Sequence, residues 1–269
     1  MILPWLKTEY AGQTLDYIGT DDPENPYTIK TFNFDMKPFF EYPYEVKYNF
    51  NSRGFRDEEW PDDDKLRDVV WCLGDSSGMG AGIPYHDSWY KVLERETGVR
   101  TINIATPGNG YDENVDIALR LMKELRPKTL IISWTWIHRN SGHEERRRKA
   151  GIHNLGAQAL TVFKKMFVRI DMNSPDMQDV KYCLDKIKLL EASKGDTQLI
   201  HVFLDPFSLR HELYTLYIKK VTKLPIIYTM FKLRDVGRDQ YFHYGIASHR
   251  EIADGLLKLF YEKNINIGR

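Results

Sequence analysis

The sequence contains very little cysteine. Only Cys72 and Cys183 occur among 269 residues, and two thiols rule out a disulfide framework. Cys72 lies in an apolar run, which is typical of a buried thiol. The sequence has neither a His-Glu-x-x-His motif nor a Cys/His cluster, so it predicts no metal site. It also gives no indication of a cofactor.

Excess charge and long apolar runs are absent as well. Lys plus Arg number 38 and Asp plus Glu number 38, which argues against a nucleic-acid partner held by bulk charge. No apolar run reaches the roughly 18 residues of a membrane span. Residues 1–7 lack the basic and long apolar regions of a signal peptide. We therefore expect a cytoplasmic protein, and its 42 % apolar content suits a globular core.

Residues 1–60 have no sustained helical or strand period. They are rich in Tyr, Phe, Pro and Asp, and Pro26, Pro38 and Pro43 interrupt any helix. The aromatic content is too high for a disordered tail. The sequence therefore predicts an extended N-terminal arm, residues 1–60, packed on a main domain of residues 61–269.

From Asp68 onward, strand and helix patterns alternate. The predicted strands are 69–74, 100–105, 129–135, 198–204 and 225–229. The predicted helices are 87–97, 112–125, 156–168, 176–193, 208–222 and 247–263. Such alternation favours right-handed βαβ units with helices on both faces of a sheet. We predict an α/β fold, a three-layer α/β/α sandwich with a five-stranded, mostly parallel sheet of order 2-1-3-4-5.

The strongest candidate for chemistry is the stretch 69–83. An apolar run typical of a buried strand ends in Gly74-Asp75-Ser76, and an amphipathic pattern follows a few residues later. Glycines on both sides allow a sharp turn, which would place Ser76 at the carboxyl edge of the sheet. Nucleophiles and phosphate sites lie at this edge in open α/β folds.

A serine nucleophile needs a base and oxyanion donors. The candidate base is His243, on a loop before the last predicted helix, with Asp239 four residues earlier to orient its ring. His249 lies near the start of that helix, and we expect it to be a surface or cap residue.

Three blocks of this chain resemble those of the SGNH (GDSL-type) hydrolases. Gly74-Asp75-Ser76, with the glycines and Ile83 that follow, resembles their first block; residues 103–108 resemble the second, and 243–253 the last. Residues 51–56 resemble a segment found upstream of the first block in some of these proteins. The resemblance implies a flavodoxin-like sandwich and ester hydrolysis through an acyl-enzyme. Ser76 would then attack, His243 would act as base with Asp239, and the amide of Gly108 would donate to the oxyanion.

The chain departs from this family pattern at two places. The family's Asp lies three residues before its His, where this chain has Gln240, and Asp239 is one residue further back. The third block, Gly-x-Asn, is also missing after the third strand. Asn140 is a candidate replacement, and Arg139 or His138 is a candidate contact for a substrate oxygen.

Other interpretations of these residues remain open. Ser76 could be a helix cap. Gly74 to Gly78 also matches the α/β-hydrolase elbow, but only one strand precedes Ser76, and that fold places several there. No Gly-Lys-Ser/Thr follows the glycines, which excludes a Walker-type phosphate loop.

The function predicted from the sequence is hydrolysis of a small or carbohydrate-linked ester. The alternatives are a catalytically weak or inactive binding or structural domain of the same fold, and an acyltransferase. Trp134, Trp136 and Tyr111 near the strand ends would form either a sugar-stacking wall or part of the core.

Overall fold

The structure, a computed structural model, describes residues 3–25, 41–135, 139–141, 175–205, 217–222, 226–230, 237–238 and 243–265. Its strands are β1 (Thr14–Leu15), β2 (Tyr48–Asn49), β3 (Val70–Leu73), β4 (Thr101–Asn103), β5 (Thr129–Trp134), β6 (Gln198–Asp205) and β7 (Ile226–Met230). Its α-helices are α1 (Ser76–Met79), α2 (Trp89–Thr97), α3 (Tyr111–Glu124), α4 (Pro175–Ser193) and α5 (Ile246–Glu262). Residues 217–222 are also helical, and 3-10 turns occupy Gly19–Asp21 and Tyr85–Asp87.

Strands β3 to β7 form one sheet in the order β4-β3-β5-β6-β7, and every neighbouring pair is parallel. With β3 counted as the first strand, this is the predicted order 2-1-3-4-5. The chain leaves β3 for β4 on one side and then returns to β5 on the other. A crevice opens at such a switch point, beyond the carboxyl ends of the strands.

Side chains of successive strand residues alternate between two buried layers. On β3, Val70 and Cys72 belong to a cluster with residues of α2 and α5, whereas Trp71 and Leu73 belong to a cluster with residues of α3 and α4. Strand residues alternate in this way because their side chains point to opposite faces of the sheet. Helices therefore cover both faces, which confirms the three-layer sandwich.

The sequence-based boundaries agree with the structure to within two residues wherever a complete predicted element is described. The predicted helix at 156–168 lies outside the described residues. Residues 208–216, the first part of the helix predicted at 208–222, also lie outside the described residues. Among the described residues, no helix combines the length and apolar content needed to cross a membrane.

The described part of the N-terminal arm is in contact with the main domain. Leu3 and Leu6 are buried within the cluster that includes α3 and α4. Tyr48 and Phe50 are buried against residues that follow Ser76, including Met79. Burying large aromatic side chains is a strong source of stability, so these contacts are expected to stabilise both the arm and the turn after β3.

A pair of aromatic substitutions tests this contribution of the arm. Phe50 is 6 % exposed, and its ring stacks on Tyr10 with centroids 4.8 Å apart. Phe50→Ala should lower the free energy of unfolding by about 3 kcal/mol, because it leaves a cavity in a packed cluster. Tyr44 is 51 % exposed, so Tyr44→Ala should cost less than about 1 kcal/mol. The measurement is urea denaturation of both variants, and equal losses of unfolding free energy would contradict a packed arm.

Candidate active site

Ser76 is the first residue of α1 and comes three residues after the end of β3. Asp75 is the N-cap, and its Oδ1 accepts hydrogen bonds from the amides of Ser77 (2.9 Å) and Gly78 (3.3 Å). A side-chain oxygen at this position satisfies amides that the first helical turn leaves unpaired. The cap is therefore Asp75, and the Ser76 hydroxyl is left for another partner.

Two glycines let this turn pack closely against β5. A Cβ added at Gly74 would lie 2.9 Å from Ser133 Oγ, and one added at Gly78 would lie 2.8 Å from the same atom. Both distances are too short for a carbon atom. The turn that presents Ser76 thus depends on glycine at these positions because the neighbouring strand is so close.

The structure places Ser76 beside His243. His243 Nε2 lies 2.9 Å from Ser76 Oγ, a hydrogen-bond distance between residues 167 positions apart. His243 is 8 % exposed and Ser76 is half-buried. An imidazole nitrogen at this distance can remove a hydroxyl proton, which is the arrangement required to activate a serine.

The Asp75 carboxylate also connects Ser76 to the loop after β5. Its Oδ2 accepts hydrogen bonds from Thr135 Oγ1 (2.6 Å) and Arg139 Nη1 (3.2 Å). Asp75 is 4 % exposed, whereas the Arg139 side chain is 39 % exposed. Arg139 is therefore bonded to the residue that caps α1, and its side chain is partly exposed to solvent.

Gly108 lies in a tight turn after β4. Its φ is +84°, Pro107 precedes it, and the amide of Asn109 donates to the carbonyl of Thr106 at 3.2 Å. Proline followed by a left-handed glycine is typical of a type II turn. The amide of Thr106 also donates to the carbonyl of Gly74 at 3.1 Å, so this turn is fixed to the end of β3, and Gly108 itself is exposed.

Asn140, the candidate for the missing third block, is hydrogen-bonded to α4. Its Nδ2 donates to Asp179 Oδ1 on α4 at 3.4 Å. Asp179 is fully buried. The structure thus brings Ser76 and His243 together, whereas Asn140 is bonded to a helix that covers the sheet.

Asp239 and His138 lie outside the described residues, as does Trp136. The two aromatic residues of the possible sugar-stacking wall that are described, Trp134 and Tyr111, are both fully buried. Their rings stack on each other with centroids 4.6 Å apart. The structure therefore supports a place in the core for this pair rather than in a sugar-stacking wall.

The expectation that His249 is a surface residue is wrong. This residue is fully buried rather than at the surface, and its Nδ1 accepts a hydrogen bond of 3.1 Å from the Trp89 amide at the start of α2. Burial, with smaller contributions from the Arg56 guanidinium and His243, lowers the pKa of His249 to about 3. The position of His249 near the start of α5 did not reveal its burial, because α2, the helix that covers it, is distant in sequence.

Sequence reasoning also missed how residues 51–56 support the site. Arg56 is 1 % exposed, and its guanidinium donates to the carbonyls of Gly80 (2.5 Å) and Ile83 (2.8 Å), in the loop after α1. The resemblance of this segment to other proteins was a signal, but it did not show which atoms Arg56 would bind. No group of three or more His, Cys, Asp or Glu side chains suited to a metal ion occurs among the described residues.

No protein-family model and no curated protein matches this sequence. Solved structures similar to it include the psychrotrophic esterase EstA from Pseudoalteromonas sp., which is 12 % identical, with 74 % of this chain and 100 % of that chain covered and a TM-score of 0.44. A family 3 carbohydrate esterase from Clostridium thermocellum is 12 % identical, with 75 % and 99 % covered and a TM-score of 0.44. A G-D-S-L family protein from Desulfitobacterium hafniense is 12 % identical, with 71 % and 98 % covered and a TM-score of 0.38. These are likenesses of fold, and the proposals below rest on this chain's own residues.

The buried His249 predicts a specific loss of stability in acid. Its folded-state pKa is about 3, against about 6.5 in an unfolded chain. Between these values the unfolded state binds more protons, so stability falls as the pH falls. From pH 7 to pH 5, His249 should cost about 2 kcal/mol of unfolding free energy.

The measurement is urea denaturation at both pH values. His249→Asn keeps an acceptor for the Trp89 amide but cannot titrate, so its pH-dependent loss should be smaller than that of the wild type by this amount. The control is His86→Asn, which makes the same substitution at a histidine whose side chain is 75 % exposed. Parallel slopes in all three proteins would contradict a buried, neutral His249.

Proposed function

We propose that this protein is a serine esterase that acts through an acyl-enzyme on a small or carbohydrate-linked ester. The observation that carries the proposal is the 2.9 Å distance between Ser76 Oγ and His243 Nε2. Ser76 attacks the ester carbonyl while His243 Nε2 takes the hydroxyl proton. His243 then returns that proton to the departing alcohol. Water next attacks the acyl-enzyme while His243 takes a proton from it, and that proton goes to Ser76 Oγ as the carboxylic acid leaves.

The negative charge that develops on the carbonyl oxygen needs hydrogen-bond donors. We assign this role to the backbone amides of Ser76 and Gly108. The turn at Gly108 supports the assignment, because the hydrogen bond from Thr106 to Gly74 holds it at the end of β3. Arg139 is the candidate contact for a further substrate oxygen, since its side chain is partly exposed and its guanidinium is bonded to Asp75.

A catalytically weak domain of the same fold is the second candidate. The observation that favours it is the bond from Asn140 to Asp179, which directs this amide toward α4. With two oxyanion donors instead of three, transition-state stabilisation would be smaller, because each such donor is worth about 10²–10³ in rate.

Substitution of the nucleophile tests the esterase proposal. Ser76→Ala should reduce hydrolysis of p-nitrophenyl acetate by roughly 10⁴-fold or more, as loss of a member of a serine triad does. The melting temperature should change little, because the cap of α1 is Asp75. Wild-type turnover in the folded variant would exclude Ser76 as the nucleophile.

Labelling with a serine-reactive phosphonate separates the two candidates. An active esterase should carry one adduct, mapped to Ser76 by mass spectrometry, and His243→Ala should label far more slowly because the base is gone. If the wild type labels no faster than His243→Ala, the inactive domain is supported instead.

The acid that orients His243 is a separate prediction. We propose Asp239 for this role, and loss of such a carboxylate can cost about 10⁴ in kcat. Asp239→Asn should therefore reduce kcat far more than Asp235→Asn, a matched change four residues earlier that lies outside the block. If the two variants have equal kcat values, another group orients His243.

A further inference from the structure

A buried ion pair connects the N-terminal arm to the segment before His243. Arg238 Nη2 and Nε donate to Asp21 Oδ2 at 2.6 and 3.1 Å. Asp21 is fully buried and Arg238 is 9 % exposed. The two residues are 217 positions apart, and charged groups of this kind remain buried only when they are paired and hydrogen-bonded.

The ion pair is hydrogen-bonded to the loop that follows α1. Tyr48 Oη donates to Asp21 Oδ2 and accepts a hydrogen bond of 2.7 Å from the Gly82 amide. Arg238 also donates its own amide to the carbonyl of Gly82 at 2.8 Å. Arg238 is thus bonded directly to Gly82, six residues after Ser76, and Asp21 is linked to it through Tyr48.

The backbone of residues 237–238 lies tightly against its neighbours. A Cβ added at Gly82, whose φ is +82°, would lie 2.2 Å from the Arg238 carbonyl oxygen. A Cβ added at Gly237 would lie 3.0 Å from the Cα of Gly245. Residues on both sides of His243 are therefore in contact, and Arg238 joins them to the loop after α1.

We propose that Asp21 is a positioning residue for His243. This inference rests on the proposed function. The Asp21 carboxylate holds Arg238, Arg238 holds its segment against Gly82, and His243 Nε2 consequently stays at hydrogen-bond distance from Ser76 Oγ. The arm thereby supplies part of the support of the active site rather than only a cover for the core.

The role is distinguishable from simple stabilisation because the chain contains a comparable ion pair elsewhere. Asp57, whose side chain is fully buried, lies 3.2 Å from Arg100 and accepts a hydrogen bond from Tyr85. Losing Asp21 removes the carboxylate bonded to Arg238, and losing Asp57 leaves Arg100 with Glu94 alone, at 3.0 Å. Either loss destabilises the folded state. Only the loss of Asp21 should act on His243.

The test compares Asp21→Asn with Asp57→Asn, with kcat and KM measured separately well below the melting temperature of each. A displacement of about 1 Å in a catalytic group can cost 10²-fold. We therefore expect Asp21→Asn to reduce kcat by roughly 10- to 100-fold with KM within about twofold, and Asp57→Asn to leave kcat within about twofold. Equal effects of the two variants on kcat would overturn the proposal.

Two milder substitutions serve if Asp21→Asn does not fold. Tyr48→Phe removes only the hydroxyl between Asp21 and Gly82, and it should lower kcat in the same direction by a smaller factor. Arg238→Lys keeps a cation for Asp21 and should retain more of kcat than Arg238→Met. If Arg238→Lys and Arg238→Met are equally impaired, the charge of the pair does not position His243.

Hydrogen exchange at the Arg238 amide gives a readout that does not depend on catalysis. This amide is bonded to Gly82, so NMR should show faster exchange in Asp21→Asn than in either the wild type or Asp57→Asn. If the wild type proves inactive, the proposed function fails, while faster exchange still supports the role of Asp21 in holding this segment. Unchanged exchange would overturn that role even in an active enzyme.

Discussion

The candidate site depends on the hydrogen bonds that the Asp75 carboxylate accepts. This carboxylate is buried and accepts hydrogen bonds from the amides of Ser77 and Gly78 with one oxygen, and from Thr135 and Arg139 with the other. An uncompensated buried carboxylate is costly, and these four donors compensate for its burial. This one group therefore fixes the start of α1 relative to the loop after β5, and with it the direction of the Ser76 hydroxyl.

The site combines elements that lie far apart in the chain. Ser76 comes from the turn after the first strand of the main sheet, and His243 comes from the segment before the last helix. The parallel sheet brings the carboxyl ends of its strands to one edge, which makes their meeting possible. The 2.9 Å contact between Ser76 and His243 needs closer positioning than the sheet alone provides. We propose that the hydrogen bond from the Arg238 amide to the Gly82 carbonyl contributes to it, on the side of the loop after α1.

Periodicity explains why so much of the fold was predictable. The strands of the main sheet are short apolar runs, and α3 has its apolar residues on one face, so local pattern and final structure agree. The proximity of Ser76 and His243 was predictable for a different reason, because both lie in blocks that resemble a known family. His249 was misjudged because polarity suggests exposure, whereas α2 covers it. The bond between Asp21 and Arg238 was not predictable, since neither residue carries a local signal.

The two imidazoles near Ser76 have opposite electrostatic requirements. In the proposed mechanism His243 must accept a proton and carry a positive charge briefly. His249 is buried nearby and is held neutral, partly because the Arg56 guanidinium disfavours a second cation there. A charged His249 would in turn oppose protonation of His243, since like charges disfavour one another at short range. Burial of His249 under α2 thus costs stability in acid, but in the proposed mechanism it avoids a second positive charge beside His243 when that residue takes the proton of Ser76.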